Sequence, residues 1–273
     1  MTTVDMYRIT NELDDATLEA LVTRLEARGK HHRFTAMMNE YFSAMKIQSA
    51  KSVLDLGCGT GVAARAIAGR QGFTGHVTGI DVSPYLTAAA KRLTTEEGLA
   101  SAVDFRTGNS QSLDLPDASF DAVIAHTLVS HVQEPLTVLR EIARIVEPGG
   151  IVGIFDGDYA SLTFGSEDPA KGKTIDETIF NAIVTNSRVM RQMPQLLREA
   201  GLELTASFSY VIADIGKADF WASAIQSFVR ILPKAGAMTE ADAQVWANAM
   251  FKRSDQDIFF GACNYYSFVA TRR

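Results

Sequence analysis

Val53-Leu54-Asp55-Leu56-Gly57-Cys58-Gly59-Thr60-Gly61 reads as a buried strand that ends in a glycine loop and opens a helix. Glycine at every second position lets the backbone turn tightly after the strand and approach a bulky ligand where a Cβ would collide. The stretch therefore marks a nucleotide-cofactor site. Its spacing is GxGxG after an acid, not the GxGxxG of the dinucleotide fingerprint, and no Lys-Ser/Thr pair follows to hold phosphates. A nicotinamide oxidoreductase and an ATP-binding loop are both disfavoured on that ground.

Working outward, Val77-Thr78-Gly79-Ile80-Asp81 is an apolar run ending in an acid, where a second parallel strand would end beside the first. A carboxylate at that edge accepts from both hydroxyls of an unphosphorylated ribose and repels a phosphorylated one. Ser83-Pro84 then starts a helix well, as an N-cap followed by proline at the first helical position. From Val53 strand and helix signals alternate, with strands near 103–107, 122–125 and 151–156 and helices over 61–70 and 85–97. Such alternation implies a parallel sheet with right-handed crossovers and helices on both faces.

These motifs, together with Gly108 to Asp121, the Pro148-Gly149-Gly150 turn and the Arg198-Glu199-Ala200-Gly201-Leu202 helix end, resemble the class I S-adenosylmethionine-dependent methyltransferases. Within them the chain looks most like the small-molecule branch typified by the ubiquinone/menaquinone-biosynthesis C-methyltransferases. The resemblance implies an α/β, Rossmann-like, seven-stranded, mostly parallel sheet, completed by antiparallel strands near 203–213 and 262–270. It implies S-adenosyl-L-methionine as cofactor, with Asp55, Gly57, Cys58, Gly59 and Gly61 in the loop, and Asp81 and Val82 at the ribose. Asn109 stands where relatives usually carry an acid for the adenine amino group. A carboxamide accepts from that group and donates to a ring nitrogen, so Asn109 with the backbone of Ser110 is the expected adenine contact, against the alternative of a plain Gly-Asn-Ser turn.

The acceptor side is written less plainly. The segment Ala125-His126-Thr127-Leu128-Val129-Ser130-His131-Val132 follows a strand at the ligand-binding edge. His126 occupies a position that lines the methionine end of the cofactor in relatives, and His131 matches the second histidine of their Leu-His-His-Val pattern. Either imidazole is suited to take a proton from an acceptor, and Asp158 of Phe155-Asp156-Gly157-Asp158-Tyr159 is a third catalytic candidate unless that run is only a turn. Tyr7, Arg33, Tyr41 and Tyr159 are expected at the acceptor, and Arg188 or Arg191 as a two-donor clamp for a carboxylate, unless they are solvated helix charges. No histidine lies in a metal-binding pattern, so no metal is expected.

Residues 1–50 are helical in pattern and precede the sheet, which makes them a candidate lid over a catalytic domain spanning 51–273. A further helical segment at about 217–257, with Phe220, Trp221, Ile225, Phe228 and Leu232 at helix spacing, is a candidate cap inserted before the last strand. With 273 residues, 47% of them hydrophobic, the chain can bury one substantial core. A formal charge of −6 disfavours nucleic acid as substrate, and no apolar run reaches the roughly 18 residues of a membrane span. Early acids such as Asp5, Glu12 and Asp14 argue against a signal peptide, which gives a cytoplasmic expectation. Cys58 and Cys263 suit reduced, packed thiols, and two cysteines are too few for arsenic chemistry. The expected activity is methyl transfer to a small-molecule acceptor by direct displacement, with a homodimer as the assembly. The alternative is a protein of this fold that uses the cofactor without methylating.

Overall fold

The computed structural model describes residues 5–273. Two helices, α1 (Asp15–Lys30) and α2 (His32–Ala44), precede the sheet. The alternating region follows as β1 (Ser52–Leu56), α3 (Val62–Ala68), β2 (His76–Asp81), α4 (Pro84–Glu96), β3 (Val103–Thr107), β4 (Phe120–His126), α5 (Pro135–Ile145) and β5 (Val146–Phe164). The chain then forms α6 (Pro169–Ile183), α7 (Val189–Glu199), β6 (Leu202–Gly216), α8 (Phe220–Lys234), α9 (Glu240–Asp255) and β7 (Phe259–Arg272). Strand order is β3-β2-β1-β4-β5-β7-β6, parallel from β3 to β5, with β7 antiparallel to both of its neighbours. The order reverses at β1 and β4, so a crevice opens beyond their C-terminal ends.

The inner parallel strands β1, β2, β4 and β5 are buried on both faces, and period-two alternation sorts their side chains into two cores, while the edge strand β3 exposes Arg106 and Thr107. Val53, Val77, Ala122, Ile124 and Phe155 join the N-terminal helices and α8 on one side. Leu54, Ile80, Val123, Val152 and Ile154 join α5 and α7 on the other. The helices start where their caps dictate. Ser83 Oγ accepts from the Leu86 N–H with Pro84 at the first turn of α4, and Thr239 Oγ1 accepts from the Asp242 N–H to open α9.

The structure departs from the sequence reading in four places. Pro148-Gly149-Gly150 is not a free turn before the fifth strand but an irregularity within it, between the register pairs Phe120 with Val146 and Ala122 with Ile151. Asp156-Gly157-Asp158 is no turn either: it continues β5, opposite Tyr266, Tyr265 and Asn264. The helix whose end the sequence marks at 198–202 begins as early as Val189 and carries Pro194 inside it, where a proline alone would mark a first turn. Helix α6 was not expected at all, because Lys171, Gly172 and Lys173 interrupt its apolar periodicity; its N-terminus is fixed by Asp168, which accepts from the Ala170 and Lys171 N–H groups.

Candidate active site

Beyond the C-terminal edge of β1, β2 and β4 lies a cavity of about 290 Å³. Gly57 and Gly59 form one wall, with φ of 71° and 52°. A Cβ on Gly57 would stand 2.6 Å from Leu128 Cδ1 on a left-handed backbone, so a side chain there would strain the loop and displace Leu128. Gly61, also left-handed, caps α3 and packs on Phe105 behind the cavity, which makes it a shaping residue and not a lining one.

Asp81 sits at the end of β2 with one oxygen accepting from the Gly59 N–H at 2.8 Å and the other from the Ser83 N–H at 2.9 Å. It thereby ties the glycine loop to the start of α4, and each oxygen keeps lone-pair capacity for a ligand hydroxyl. Burial raises its pKa against these hydrogen bonds. Asp55 is fully buried: Oδ2 accepts from the Ala64 N–H at the start of α3, while Oδ1 has no partner. Burial, reinforced by the nearby Asp81 charge, pushes its pKa up to about 7 against the Ala64 hydrogen bond. Cys58 lines the same wall, and burial holds its thiol well above the ordinary range, hence protonated.

At the opposite end, Asn109, Ser110 and exposed Val82 line the cavity. Asn109 Oδ1 accepts from the Gln111 N–H at 3.0 Å, so the turn geometry is present alongside the lining position, and the carboxamide NH2 is left to donate. Thr127, just past β4, takes a left-handed φ of 57°, rare for a β-branched residue. It is held there by its N–H to the Phe155 carbonyl at 2.7 Å and by Arg28, which donates to its Oγ1 at 2.9 Å.

The two histidines differ sharply. His126 is buried, its ring stacked on Phe155 at 4.6 Å, with Nδ1 2.8 Å from the Tyr41 hydroxyl and Nε2 unpartnered. Burial, with the Arg28 charge, lowers its pKa to about 3, so it stays neutral and accepts protons poorly. His131 places Nδ1 2.8 Å from Asp5 Oδ2 and its ring 4.7 Å from that of Tyr7. Burial pulls its pKa down, but the charge and hydrogen bond of Asp5 outweigh burial and raise it.

A second, smaller cavity of about 40 Å³ adjoins the first, and Tyr7, Arg28 and His131 line both. Tyr159, Tyr265, Trp221 and Phe228 give it an aromatic wall, and Arg24 faces it from α1.

Several expected acceptor residues lie elsewhere. Asp158 and Arg191 face each other: the Arg191 Nε donates to both carboxylate oxygens at 3.0 Å, and neither residue lines a cavity. Strand alternation is the reason, since Asp158 points to the α7 side while Tyr159 points to the aromatic cavity. Arg188 is exposed at the start of α7, away from both cavities. Arg33 donates to Asp214 Oδ1 at 2.8 Å and the Ala213 carbonyl at 2.7 Å, bracing α2 on β6. Tyr41 is fully buried and reaches the site only through His126. The residues that sequence reasoning missed are Asp5, Arg24 and Arg28. The last two recur at i and i+4 of α1 on the face that carries Leu21 and Leu25, a signal that marked them as inward-facing.

S-adenosylmethionine fits this donor set: a wall of left-handed glycines with no side chain, an edge carboxylate with free lone pairs, and a buried Asp55 oxygen lacking a partner at the cavity wall. The comparisons agree. A methyltransferase domain family matches residues 54–154. Demethylmenaquinone methyltransferase of Listeria monocytogenes is 30% identical over 181 residues, 63% of this chain and 76% of that protein. Sterol 24-C-methyltransferase ERG6B of Gibberella zeae is 30% identical over 176 residues, 64% of this chain, but the chain spans only 45% of that protein. The structure of geranyl diphosphate methyltransferase in complex with S-adenosylmethionine shares the fold, with a TM-score of 0.55 over 92% of this chain and 90% of that one at 16% identity. The chain belongs to the class I S-adenosylmethionine-dependent methyltransferases.

Proposed function

We propose that the larger cavity holds the methyl donor, that the smaller one receives the acceptor, and that His131 removes the acceptor's proton where the two meet. The observation that carries this reading is the junction itself, where Tyr7, Arg28 and His131 line both chambers. S-adenosylmethionine, when bound, supplies a methyl carbon already activated by its sulfonium. Asp81 accepts from the ribose hydroxyls, Asn109 and Ser110 contact the adenine, and Gly57 and Gly59 admit the ligand to the backbone. Asp55, with its pKa raised to about 7, gives up its proton to match a cationic ligand when one binds. Asp5 accepts from the His131 Nδ1–H, which fixes the tautomer and leaves Nε2 to take the proton from the acceptor. Neutral His126, anchored by Tyr41, presents Nε2 to the donor cavity as a hydrogen-bonding group. Alignment of donor and acceptor in a dry chamber contributes on the order of 7 to 11 kcal/mol without a covalent step by the protein.

The acceptor is a small molecule with an apolar ring body. The relatives are named for demethylmenaquinone and sterol, and here Trp221, Phe228 and Ile231 offer a wall suited to rings. A chamber of about 40 Å³ has room for little more than water, so α1 and α8, which pack together over it, must part for the acceptor to enter. The N-terminal helices are thus a lid. Glu26 restrains their motion, since it binds Thr60 Oγ1 at 2.7 Å and Arg65 at 2.7 Å and ties α1 to the glycine loop. The formal charge of −6 supports a small molecule over nucleic acid as acceptor, and the free, buried Cys58 and Cys263 suit a reducing, cytoplasmic setting. Among the described residues no helix is long and apolar enough to cross a membrane. The assembly is read as a homodimer, which light scattering tests.

Incubation with methyl-labelled S-adenosylmethionine and a fractionated small-molecule extract, read by mass spectrometry, tests the transfer. A labelled product is expected. Repeated failure across broad extracts, with S-adenosylhomocysteine binding intact, would favour non-methylating use of the cofactor.

A further inference from the structure

Helix α1 turns two guanidinium groups, Arg24 and Arg28, toward the smaller cavity. At i and i+4 they are neighbours on one helical face, where like charges repel. Burial and the adjacent Arg28 charge hold the Arg24 pKa below its ordinary value. Among the described residues, the side-chain hydrogen bonds of this pair go to hydroxyls: Arg24 Nη1 to Ser223 Oγ at 3.3 Å and Arg28 Nη2 to Thr127 Oγ1 at 2.9 Å. The Arg28 Nε is buried with no partner. Other arginines of the fold are matched to carboxylates, Arg65 with Glu26 and Glu97, Arg33 with Asp214 and Arg191 with Asp158. Asp5 is engaged by His131, and Asp156 by the Ser130 and Gly157 N–H groups, although the Asp156 charge still acts on Arg28 without a hydrogen bond to it. Aromatic faces support the pair without neutralising it: Phe34 lies 5.0 Å from the Arg28 guanidinium and Phe220 lies 5.9 Å from that of Arg24.

Partly buried cations with donors to spare are costly unless an anion completes them, and the guanidinium fork matches an oxyacid. We propose that Arg24 and Arg28 form the recognition site for an anionic oxyacid group, carboxylate or phosphate, carried by the acceptor beside its ring body. This rests on the assignment of the smaller cavity to the acceptor. The oxyacid anchors one end of the acceptor on α1, and the reacting end then falls near His131 at the junction.

The test uses the full chain saturated with S-adenosylhomocysteine, followed by thermal unfolding with phenylacetate, phenyl phosphate or neutral phenylacetamide. At about ten times its dissociation constant, a recognised anion raises Tm by about 2 °C or more, while phenylacetamide does not. Whether phenylacetate or phenyl phosphate gives the larger rise identifies the oxyacid. Arg24→Met, which touches only the smaller cavity, should abolish the rise and leave the Tm without anion equal or higher, because an unmatched charge has gone. A lower Tm with the anion response retained would make Arg24 a brace to Ser223 and overturn the proposal, as would no response to either anion. S-adenosylhomocysteine affinity, measured on the same samples, separates the outcomes: its absence would count against the donor site and not against the arginine pair.

Discussion

The His131 imidazole is held by Asp5 across a 2.8 Å hydrogen bond that spans nearly the whole first half of the chain. It joins the segment before α1 to the loop after β4 and fixes which ring nitrogen is free. Activity that needs neutral His131 should rise with pH through a value above the ordinary 6.5. In Asp5→Asn that limb should move to lower pH, with a lower plateau, because the weaker hydrogen bond leaves a less basic imidazole. A pH profile of kcat/KM for both proteins measures this, and an unmoved limb would remove His131 from proton transfer.

Stability should follow the opposite trend. A histidine whose folded pKa is raised contributes stability that is fully present below its unfolded value and is lost as pH rises through the folded one. The protein should therefore lose this contribution above about pH 6.5, where the proposed activity gains. Urea unfolding of wild type and His131→Gln across pH 5.5–8.5 checks the sign: the difference between them should shrink as pH rises.

Asp55 makes a second pH test. Its folded pKa of about 7 means that the folded state holds a proton the unfolded state has released, so stability without ligand falls as pH rises from about 4 to 7. Asp55→Asn keeps an acceptor for the Ala64 N–H and should remove that fall, by up to about 4 kcal/mol. It should also weaken binding of S-adenosylmethionine more than of S-adenosylhomocysteine, which lacks the sulfonium. Equal losses in calorimetry would deny Asp55 any part in matching the sulfonium.

Asp81→Asn should lower S-adenosylhomocysteine affinity by about 10- to 100-fold, the worth of hydrogen bonds to a charged group, while far-UV circular dichroism stays native. Unchanged affinity would sink the ribose assignment.

Arg191→Ala probes the pair that sequence reasoning placed at the acceptor. Its guanidinium is half exposed and neutralises buried Asp158, so its loss should cost stability, about 1–3 kcal/mol, and leave KM within about twofold. A large rise in KM would restore Arg191 to the acceptor site.

Much of the donor side was legible because it is local. The glycine turn after β1, the acid ending β2 and the Ser83-Pro84 cap are each a few residues whose backbone demands are met within the segment, and each took its expected place in the backbone, whereas Gly61, expected at the ligand, packs behind the cavity. Strand alternation separates Asp158 from Tyr159 once β5 is known to run on to Phe164, but a strand ended at 156 hid it, and the pairing of Asp158 with Arg191 is a long-range contact.

The sequence by itself determined the sheet, the glycine loop after β1 and the family, since periodicity and glycine geometry are short-range constraints that hold whatever packs against them. Tertiary structure alone decided which side chains meet around the proposed acceptor chamber. Asp5 meets His131, Arg28 meets Thr127 and Tyr41 meets His126 across long stretches of chain, and no local pattern encodes such pairings. The charge states follow the same division. Burial drives His126 down to about 3 while Asp5 lifts His131, so two histidines alike in sequence are set apart by their surroundings.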